Sequence, residues 1–188
     1  MINSKNMSDL IVSTLYLFLP CYVANMAPVV AKKLGLFPSL ARPLDGSGSN
    51  GAKQIFGVNK TYRGILVGII AGVLTSFAQL LLLNNSFFAS ILVFPYTVKN
   101  FFLWGILLGG GALGGDLAKS YFKRKRGIAP GNRWLPWDQL DMVFGGIVCG
   151  SLLYRFSLMN IIILLIATPF LVLAINFVGY FLKIKENW

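Results

Sequence analysis

The sequence predicts an all-α, polytopic membrane protein with about five transmembrane helices. Of its 188 residues, 56% are hydrophobic and only 12% are charged, whereas a soluble domain usually carries about 25% charged residues. Several apolar runs approach the roughly 20 residues that a helix needs to cross a bilayer. The net charge of +11 is explained by cations gathered in cytoplasmic loops, where they set the orientation of membrane proteins. We therefore expect the bilayer, and no nucleic acid, as a partner.

The five predicted segments follow one another along the chain as separate apolar runs. The fourth is short for a span, so either it extends backward and draws Asp138 and Asp141 to the membrane edge or the bilayer thins around it. The first is too long for a signal peptide, and no small-residue cleavage pattern follows it. The segments cover about 10–31, 65–83, 101–121, 141–154 and 158–182.

Cation placement orients these segments. The loop 32–63 holds six Lys and Arg residues, the loop 122–140 holds five and the C-terminal tail holds two, against three on the opposite side. This pattern predicts a multi-pass protein of the cell membrane with its N-terminus outside and its C-terminus and these two loops in the cytoplasm. The apolar stretch 87–96 is too short to span, but it could lie in the interface or re-enter the membrane.

Glycines cluster in the third segment, "WGILLGGGALGGDL", and in the fourth, "FGGIVCG". Small residues let helices approach closely in lipid, where packing rather than hydrophobicity drives association. We expect these two segments to pack tightly through their glycines.

Polar side chains share one face of the third segment as it reaches the cytoplasm. Asp116, Lys119, Ser120 and Lys123 are spaced i, i+3, i+4 and i+7, which places them together on a helix. Ionisable groups inside a membrane are costly and usually face a cavity. Either this face belongs to a functional site, or Asp116 is merely satisfied by Lys119 or Ser120.

Carboxylates gather at the two ends of the loop 122–140. Asp116 precedes it, and Asp138 and Asp141 stand three residues apart after it, near the predicted start of the fourth helix. One acid there would simply complement the helix dipole. Three carboxylates at one membrane face predict a site for Mg²⁺, a hard divalent cation. The chain has no His, so no imidazole base or ligand contributes.

The loop 32–63 contains "RPLDGSGSNGAKQIFGVNKTYRG", with five glycines among cations. Glycine-rich backbone can present N–H groups to phosphate oxygens, and the cations add charge. A flexible linker would look the same, and no Walker sequence is present.

Together, the loops 32–63 and 122–140 predict one catalytic domain, residues 1–188, for metal-assisted phosphoryl or nucleotidyl transfer at the membrane surface. Competing classes are a transporter or channel, a CDP-alcohol phosphotransferase and a structural membrane subunit. The polar residues collect at one face rather than at the midplane expected of a transporter. The phosphotransferase acid pattern is absent, because Asp138 and Asp141 are one residue too close together.

The order and spacing of these stretches resembles the CDP-archaeol synthases, within the phosphatidate cytidylyltransferase superfamily. The matching pieces, spread over most of the chain, are "CYVANMAPV", "PLDG", "NKTYRG", "GDLAKSYFKRKRGI" and "LPWDQLD". The resemblance implies transfer of CMP from CTP to a membrane lipid phosphate, 2,3-bis-(O-geranylgeranyl)-glycerol 1-phosphate. The products would be CDP-archaeol and pyrophosphate.

The same resemblance implies residue roles. Asp116, Asp138 and Asp141 would hold Mg²⁺, with Lys119 completing the catalytic set. The phosphate contacts would come from Lys119, Ser120, Lys123 and Arg124, and the opposite wall for nucleotide or lipid phosphate from Asp45, Gly46, Lys60, Thr61 and Arg63.

One departure separates the chain from the diacyl-type enzymes of the superfamily. They carry a Pro-Gly-His-Gly-Gly element, whereas this chain has "RWLPWDQLD" and no His. This favours the archaeal branch over a CDP-diacylglycerol synthase acting on phosphatidic acid. The lipid chain type, the number of metals and a homo-oligomer are left open.

Overall fold

The computed structural model describes residues 6–46, 55–129, 132 and 134–181, and these ranges fold into helices without a β-sheet. This confirms the all-α prediction for the described residues. Part of the glycine-rich stretch, and Lys5, Lys53, Arg133, Lys183 and Lys185 from the orientation argument, lie outside them. In chain order the helices are α1 (Met7–Leu17), α2 (Leu19–Lys33), α3 (Tyr62–Leu81), α4 (Ser86–Ile91), α5 (Phe101–Lys125), α6 (Trp137–Gly150) and α7 (Leu158–Phe181).

Three helices of the described chain are long and apolar enough to cross a membrane. They are α3 with its 3₁₀ extension (Tyr62–Asn84), α5 and α7. A fourth span results if α1 and α2, which meet at a 45° bend, count as one. The predicted first segment is thus broken, because Pro20 near the start of α2 cannot continue the helix that precedes it. The sequence predicts about five spans, and the described helices supply three, or four if α1 and α2 form one span.

The predicted fourth segment corresponds to α6, which begins earlier than expected, at Trp137. Asp138 and Asp141 therefore lie in its first turns, as predicted. Its 14 residues cover about 21 Å at 1.5 Å per residue, less than the roughly 30 Å of a hydrocarbon core. By contrast, α5 continues one turn past its predicted end, so Lys123 and Arg124 are helical rather than part of a loop.

An aromatic layer fills the space beyond the C-terminal end of α6. The short helix α4 is followed by a return segment whose Phe94 is buried and stacks on Trp104 of α5, with ring centroids 4.4 Å apart. Tyr154 and Phe156 approach the same indole at 6.2 and 6.4 Å. At six residues, α4 covers about 9 Å, so it does not add a span.

Glycines allow α5 and α6 to touch through their backbones. A Cβ atom built on Gly145 would lie 2.0 Å from the carbonyl oxygen of Gly111, and one on Gly115 would lie 2.0 Å from that of Asp141. This confirms the tight packing predicted from the two glycine clusters. The contact sets the acids of α6 directly against the polar face of α5.

Candidate active site

Lys119 of α5 lies at the centre of three carboxylates. Its Nζ is 2.6 Å from Oδ2 of Asp141, 3.0 Å from Oδ1 of Asp116 and 3.4 Å from Oδ1 of Asp138. The side chain of Lys119 is 15% exposed, and that of Asp141 only 5%. Asp141 also accepts a hydrogen bond from the N–H of Met142, at 2.7 Å. The structure therefore brings together the four residues predicted to be catalytic.

Two further lysines complete this ion cluster. Lys60, which precedes α3, donates to Oδ2 of Asp116, whereas Lys119 contacts Oδ1. Lys123, one turn beyond Lys119, lies 3.0 Å from Oδ1 of Asp138. Three acids and three lysines thus cancel one another's formal charge. Because desolvating such charges costs more than isolated pairs usually return, the cluster favours a functional over a purely structural role.

The start of α6 is fixed by Asp138. Besides its lysine contacts, its carboxylate accepts a hydrogen bond from the N–H of Trp134, one turn earlier in the chain. Lys123 also donates to the carbonyl of Asn132, at 2.5 Å. The segment that leads into α6 is therefore tied to the last turns of α5, which holds Asp138 and Asp141 at the cluster.

A cavity of about 730 Å³ opens beside the cluster, within the size range of sites for small ligands. Lys60, Thr61, Asp116, Lys119, Asp138 and Asp141 line it. Thr61 also caps α3, since its Oγ1 accepts a hydrogen bond from the N–H of Gly64 at 3.1 Å. Two predicted binding residues, Lys60 and Thr61, are therefore placed in the wall with the predicted catalytic set.

Three other predicted binding residues of the first loop lie away from this wall. Asp45 accepts hydrogen bonds from the N–H groups of Phe56 and Gly57, at 2.5 and 2.8 Å, so its carboxylate fastens the loop. Gly46 has φ +70°, a left-handed turn conformation that favours glycine. Arg63 donates to the carbonyl of Leu36 at 3.2 Å on an exposed surface.

The remaining predicted phosphate-binding residues sit near the end of α5. Ser120 and Lys123 are buried. The Nε and Nη1 atoms of Arg124 are buried and have no hydrogen-bond partner within the described part of the chain. Sequence reasoning missed other polar cavity residues, which are Asn25, Lys32, Lys33, Asn59 and Asn176. Asn25 was detectable, because it is a polar residue inside the apolar stretch "CYVANMAPV".

The three carboxylates of the cluster are chemically suitable ligands for a hard divalent cation. Oxygen ligands are what Mg²⁺ prefers, and it usually takes one or two carboxylates with phosphate oxygens and water. Their common centre, however, is taken by the ammonium of Lys119. Within 6–46, 55–129 and 134–181, no three acidic or Cys side chains form a ready metal cage. The donor set therefore fits a metal that is held jointly with a phosphate ligand.

Comparison with known proteins identifies the family. The family model described as CarS-like, CDP-archaeol synthase, matches residues 7–188. The chain belongs to the CDP-archaeol synthase family. It is 35% identical to the CDP-archaeol synthase of Archaeoglobus fulgidus, over 96% of this chain and 98% of that relative. It is 36% identical to the CDP-archaeol synthase of Methanococcoides burtonii, over 90% of this chain and 99% of that relative.

A solved structure agrees with this family membership. It is described as an intramembrane enzyme for archaeal membrane lipids biosynthesis, and it superposes with a TM-score of 0.65 at 29% identity. The match covers 87% of this chain and 92% of the other. The resemblance inferred from the sequence motifs is thereby confirmed, and the transporter, phosphotransferase and structural-subunit classes are not favoured.

Proposed function

We propose that this protein is a membrane nucleotidyltransferase that transfers CMP from CTP to 2,3-bis-(O-geranylgeranyl)-glycerol 1-phosphate, giving CDP-archaeol and pyrophosphate. One observation carries the proposal: in a chain of the CDP-archaeol synthase family, three carboxylates that line one cavity at the end of a membrane helix form an ion cluster with three lysines. A phosphate oxygen of the lipid attacks the α-phosphorus of CTP. The bond from this phosphorus to the bridging oxygen breaks, and pyrophosphate leaves.

The lysines bind the phosphates in this reaction. In the absence of nucleotide, the three lysines form ion pairs with the carboxylates. A triphosphate is a stronger partner for ammonium groups than a single carboxylate, so it competes for Lys60, Lys119 and Lys123. Positioned cations then offset the charge that develops on the leaving pyrophosphate, which is the main task of a protein in such transfers.

The carboxylates become available as the lysines turn to the phosphates. Asp116, Asp138 and Asp141 would then hold Mg²⁺ together with phosphate oxygens. When bound, the ion supplies charge neutralisation and orients the phosphates. The protein fixes these acids through the Gly115–Asp141 backbone contact and through the Trp134 and Lys123 bonds to Asp138. Attack needs no imidazole base, because the lipid phosphate is already anionic at neutral pH.

We further propose one catalytic domain, residues 1–188, with five spans, the N-terminus outside and the C-terminus in the cytoplasm. In support, the C-terminal ends of α2 and α5 and the N-terminal ends of α3 and α6 all meet at the cavity, and the last turns of α2 and α5 are basic. The active site would thus face the cytoplasm of a cell-membrane protein. An impermeant thiol reagent added to intact cells should label Val98→Cys but not Lys125→Cys, and the reverse pattern would refute this orientation.

The function is tested with purified protein in detergent. Labelled CTP, Mg²⁺ and the geranylgeranyl lipid phosphate should yield CDP-lipid and pyrophosphate, and omission of the lipid or the metal should stop both. Diacyl phosphatidic acid serves as the competing substrate, and preferential turnover of it would favour a CDP-diacylglycerol synthase. Release of CMP from a CDP-lipid in the presence of an alcohol, without CTP consumption, would overturn the assignment.

A further inference from the structure

Residues 34–42, here called the 34–42 segment, follow the end of α2 and turn back toward α3. The N–H of Leu36 donates to the carbonyl of Ala31, at 3.1 Å, and Gly35 has φ +64°. This is the left-handed glycine ending that is common at the C-terminus of helices. The chain therefore reverses sharply instead of continuing along the axis of α2.

The 34–42 segment is held at the first turn of α3 by two hydrogen bonds. The carbonyl of Leu36 accepts one from the guanidinium of Arg63, at 3.2 Å. The carbonyl of Arg42 accepts the other from the N–H of Tyr62, also at 3.2 Å. Between them, the 3₁₀ turn Pro38–Leu40 packs against α3. Both arginines therefore stand at the start of this helix.

The start of α3 is also the edge of a lipid-facing surface. Exposed apolar side chains recur along this helix every three or four residues, which places them on one face. Because α3 is long and apolar enough to cross a membrane, this face lies against hydrocarbon. Tyr62, four residues before the first of them, is exposed on the same face, and tyrosine is typical of the membrane–water interface. The members of the face are Leu66, Ile70, Leu74, Phe77 and Leu81.

The 34–42 segment presents apolar side chains at this level. Leu34 is 64% exposed and Phe37 is 50% exposed, and Leu36 between them is exposed as well. Phe37 has φ +49°, a left-handed conformation that is unfavourable for a bulky residue. A strained aromatic residue at the surface indicates a role outside the protein's own core. Its position fits the boundary between headgroups and acyl chains, where amphipathic segments lie.

The charge around these apolar side chains is positive. Between Asp9 and Asp45 the sequence contains no acid and three cations, and Arg63 adds a fourth beside Leu36. Basic residues at a membrane surface attract anionic phospholipids. The three cations are Lys32, Lys33 and Arg42. Since the two lysines line the polar cavity beside the ion cluster, the arginines are the cations left for the bilayer.

We propose that the 34–42 segment is an interfacial anchor. Its exposed apolar side chains insert at the boundary between headgroups and acyl chains, and Arg42 and Arg63 bind the headgroups of anionic phospholipids. This inference goes beyond the proposed reaction and does not depend on it. The anchor also reaches the site, because the N–H of Leu44 donates to the carbonyl of Lys60 at 2.8 Å. The cavity wall that carries Lys60 and Thr61 is thereby tied to the membrane surface.

Fluorescence quenching in phosphatidylcholine vesicles tests the apolar part of the anchor. The full-length variant Phe37→Cys carries a bimane label, and the unsubstituted chain gives the background from Cys21 and Cys149. A phosphatidylcholine with a nitroxide near its headgroup should quench this label strongly, and iodide in the water should quench it weakly. Lys125→Cys, at the basic end of α5, is the water control, and Leu74→Cys is the hydrocarbon control. A Phe37→Cys label that behaves like the one at Lys125→Cys would refute the anchor.

Lipid preference tests the cationic part, with the label at Leu34→Cys to leave the strained backbone unchanged. A nitroxide phosphatidylglycerol should quench this label more than the matching phosphatidylcholine. Arg42→Gln should lower that preference about fivefold, which corresponds to about 1 kcal/mol for one basic residue near a membrane surface. Arg155→Gln, at an exposed arginine beyond the C-terminal end of α6, is the matched control. Thermal unfolding in detergent shows that each variant is folded. Equal quenching by the two lipids, or equal preference in Arg42→Gln and Arg155→Gln, would refute headgroup binding by the anchor.

Discussion

The backbone contact between α5 and α6 makes a sharp prediction for Gly115→Ala. The added Cβ would lie 2.0 Å from the carbonyl oxygen of Asp141, whereas an ordinary contact begins near 3.4 Å. The two helices must therefore separate by about 1.4 Å at this point. This shift acts directly on the 2.6 Å contact between Lys119 and Asp141. A misplacement of about 1 Å in a catalytic arrangement can cost about 100-fold in rate, and we expect a loss of this size.

The matched control is Gly110→Ala on the same helix. A Cβ there would meet nothing within 4 Å, and Gly110 does not line the polar cavity. Alanine favours a helix over glycine by up to about 1 kcal/mol, so this variant should be as stable as the wild type or slightly more so. Gly115→Ala should lose about 1–3 kcal/mol through overpacking.

Two measurements decide the outcome. CTP-dependent pyrophosphate release gives the rate, and thermal unfolding in the same detergent gives the stability. If Gly115→Ala and Gly110→Ala have equal rates and equal melting temperatures, then α5 and α6 do not touch as described, and the explanation of how Asp141 reaches Lys119 fails.

Three further predictions address the site. Asp116→Asn should lower turnover by at least about 100-fold while the protein stays folded, whereas Asp9→Asn, a change at an exposed acid of α1, should retain full activity. Equal rates for the two variants would remove Asp116 from the site. Chelation with EDTA should abolish pyrophosphate release and added Mg²⁺ should restore it, and turnover that persists in EDTA would exclude the proposed metal. Asp45→Ala should raise the KM for CTP about tenfold with little change in kcat, because it leaves the N–H groups of Phe56 and Gly57 without their acceptor, at a cost of about 1–3 kcal/mol. Asp45→Asn keeps an acceptor oxygen and should recover most of the affinity. A loss confined to kcat would contradict a loop-fastening role.

The helical spacing in α5 was the most informative sequence signal. The i, i+3, i+7 pattern of Asp116, Lys119 and Lys123 placed them on one face, and the structure joins all three in the ion cluster. The position of Lys119 among the carboxylates was not readable, because it depends on how close α6 comes. The glycine clusters predict a close approach of the two helices, but not which glycine meets which carbonyl. The contacts of Gly111 with Gly145 and of Gly115 with Asp141 depend on how the two helices are aligned, which no local pattern encodes.

The loop residues show the limit of sequence motifs as a guide. The resemblance implies a place in the nucleotide or phosphate wall for Asp45 in "PLDG", and in the structure its carboxylate accepts hydrogen bonds from backbone N–H groups of its own loop. Arg63 next to α3 likewise binds a backbone carbonyl. A charged side chain in a glycine-rich loop can choose among many partners of similar energy. Which partner it binds is therefore settled only when the loop folds against the helices. The break between α1 and α2, by contrast, was available from Pro20.

The aromatic layer behind α6 has a consequence for the cell. Trp104 lies twelve residues before Asp116 on α5, about 18 Å along the helix from the ion cluster, and Phe94, Tyr154 and Phe156 surround it. These rings do not line the polar cavity, and they pack against one another between the described helices. One end of the bundle can therefore hold a polar cavity while packed aromatic side chains keep the other end closed to ions.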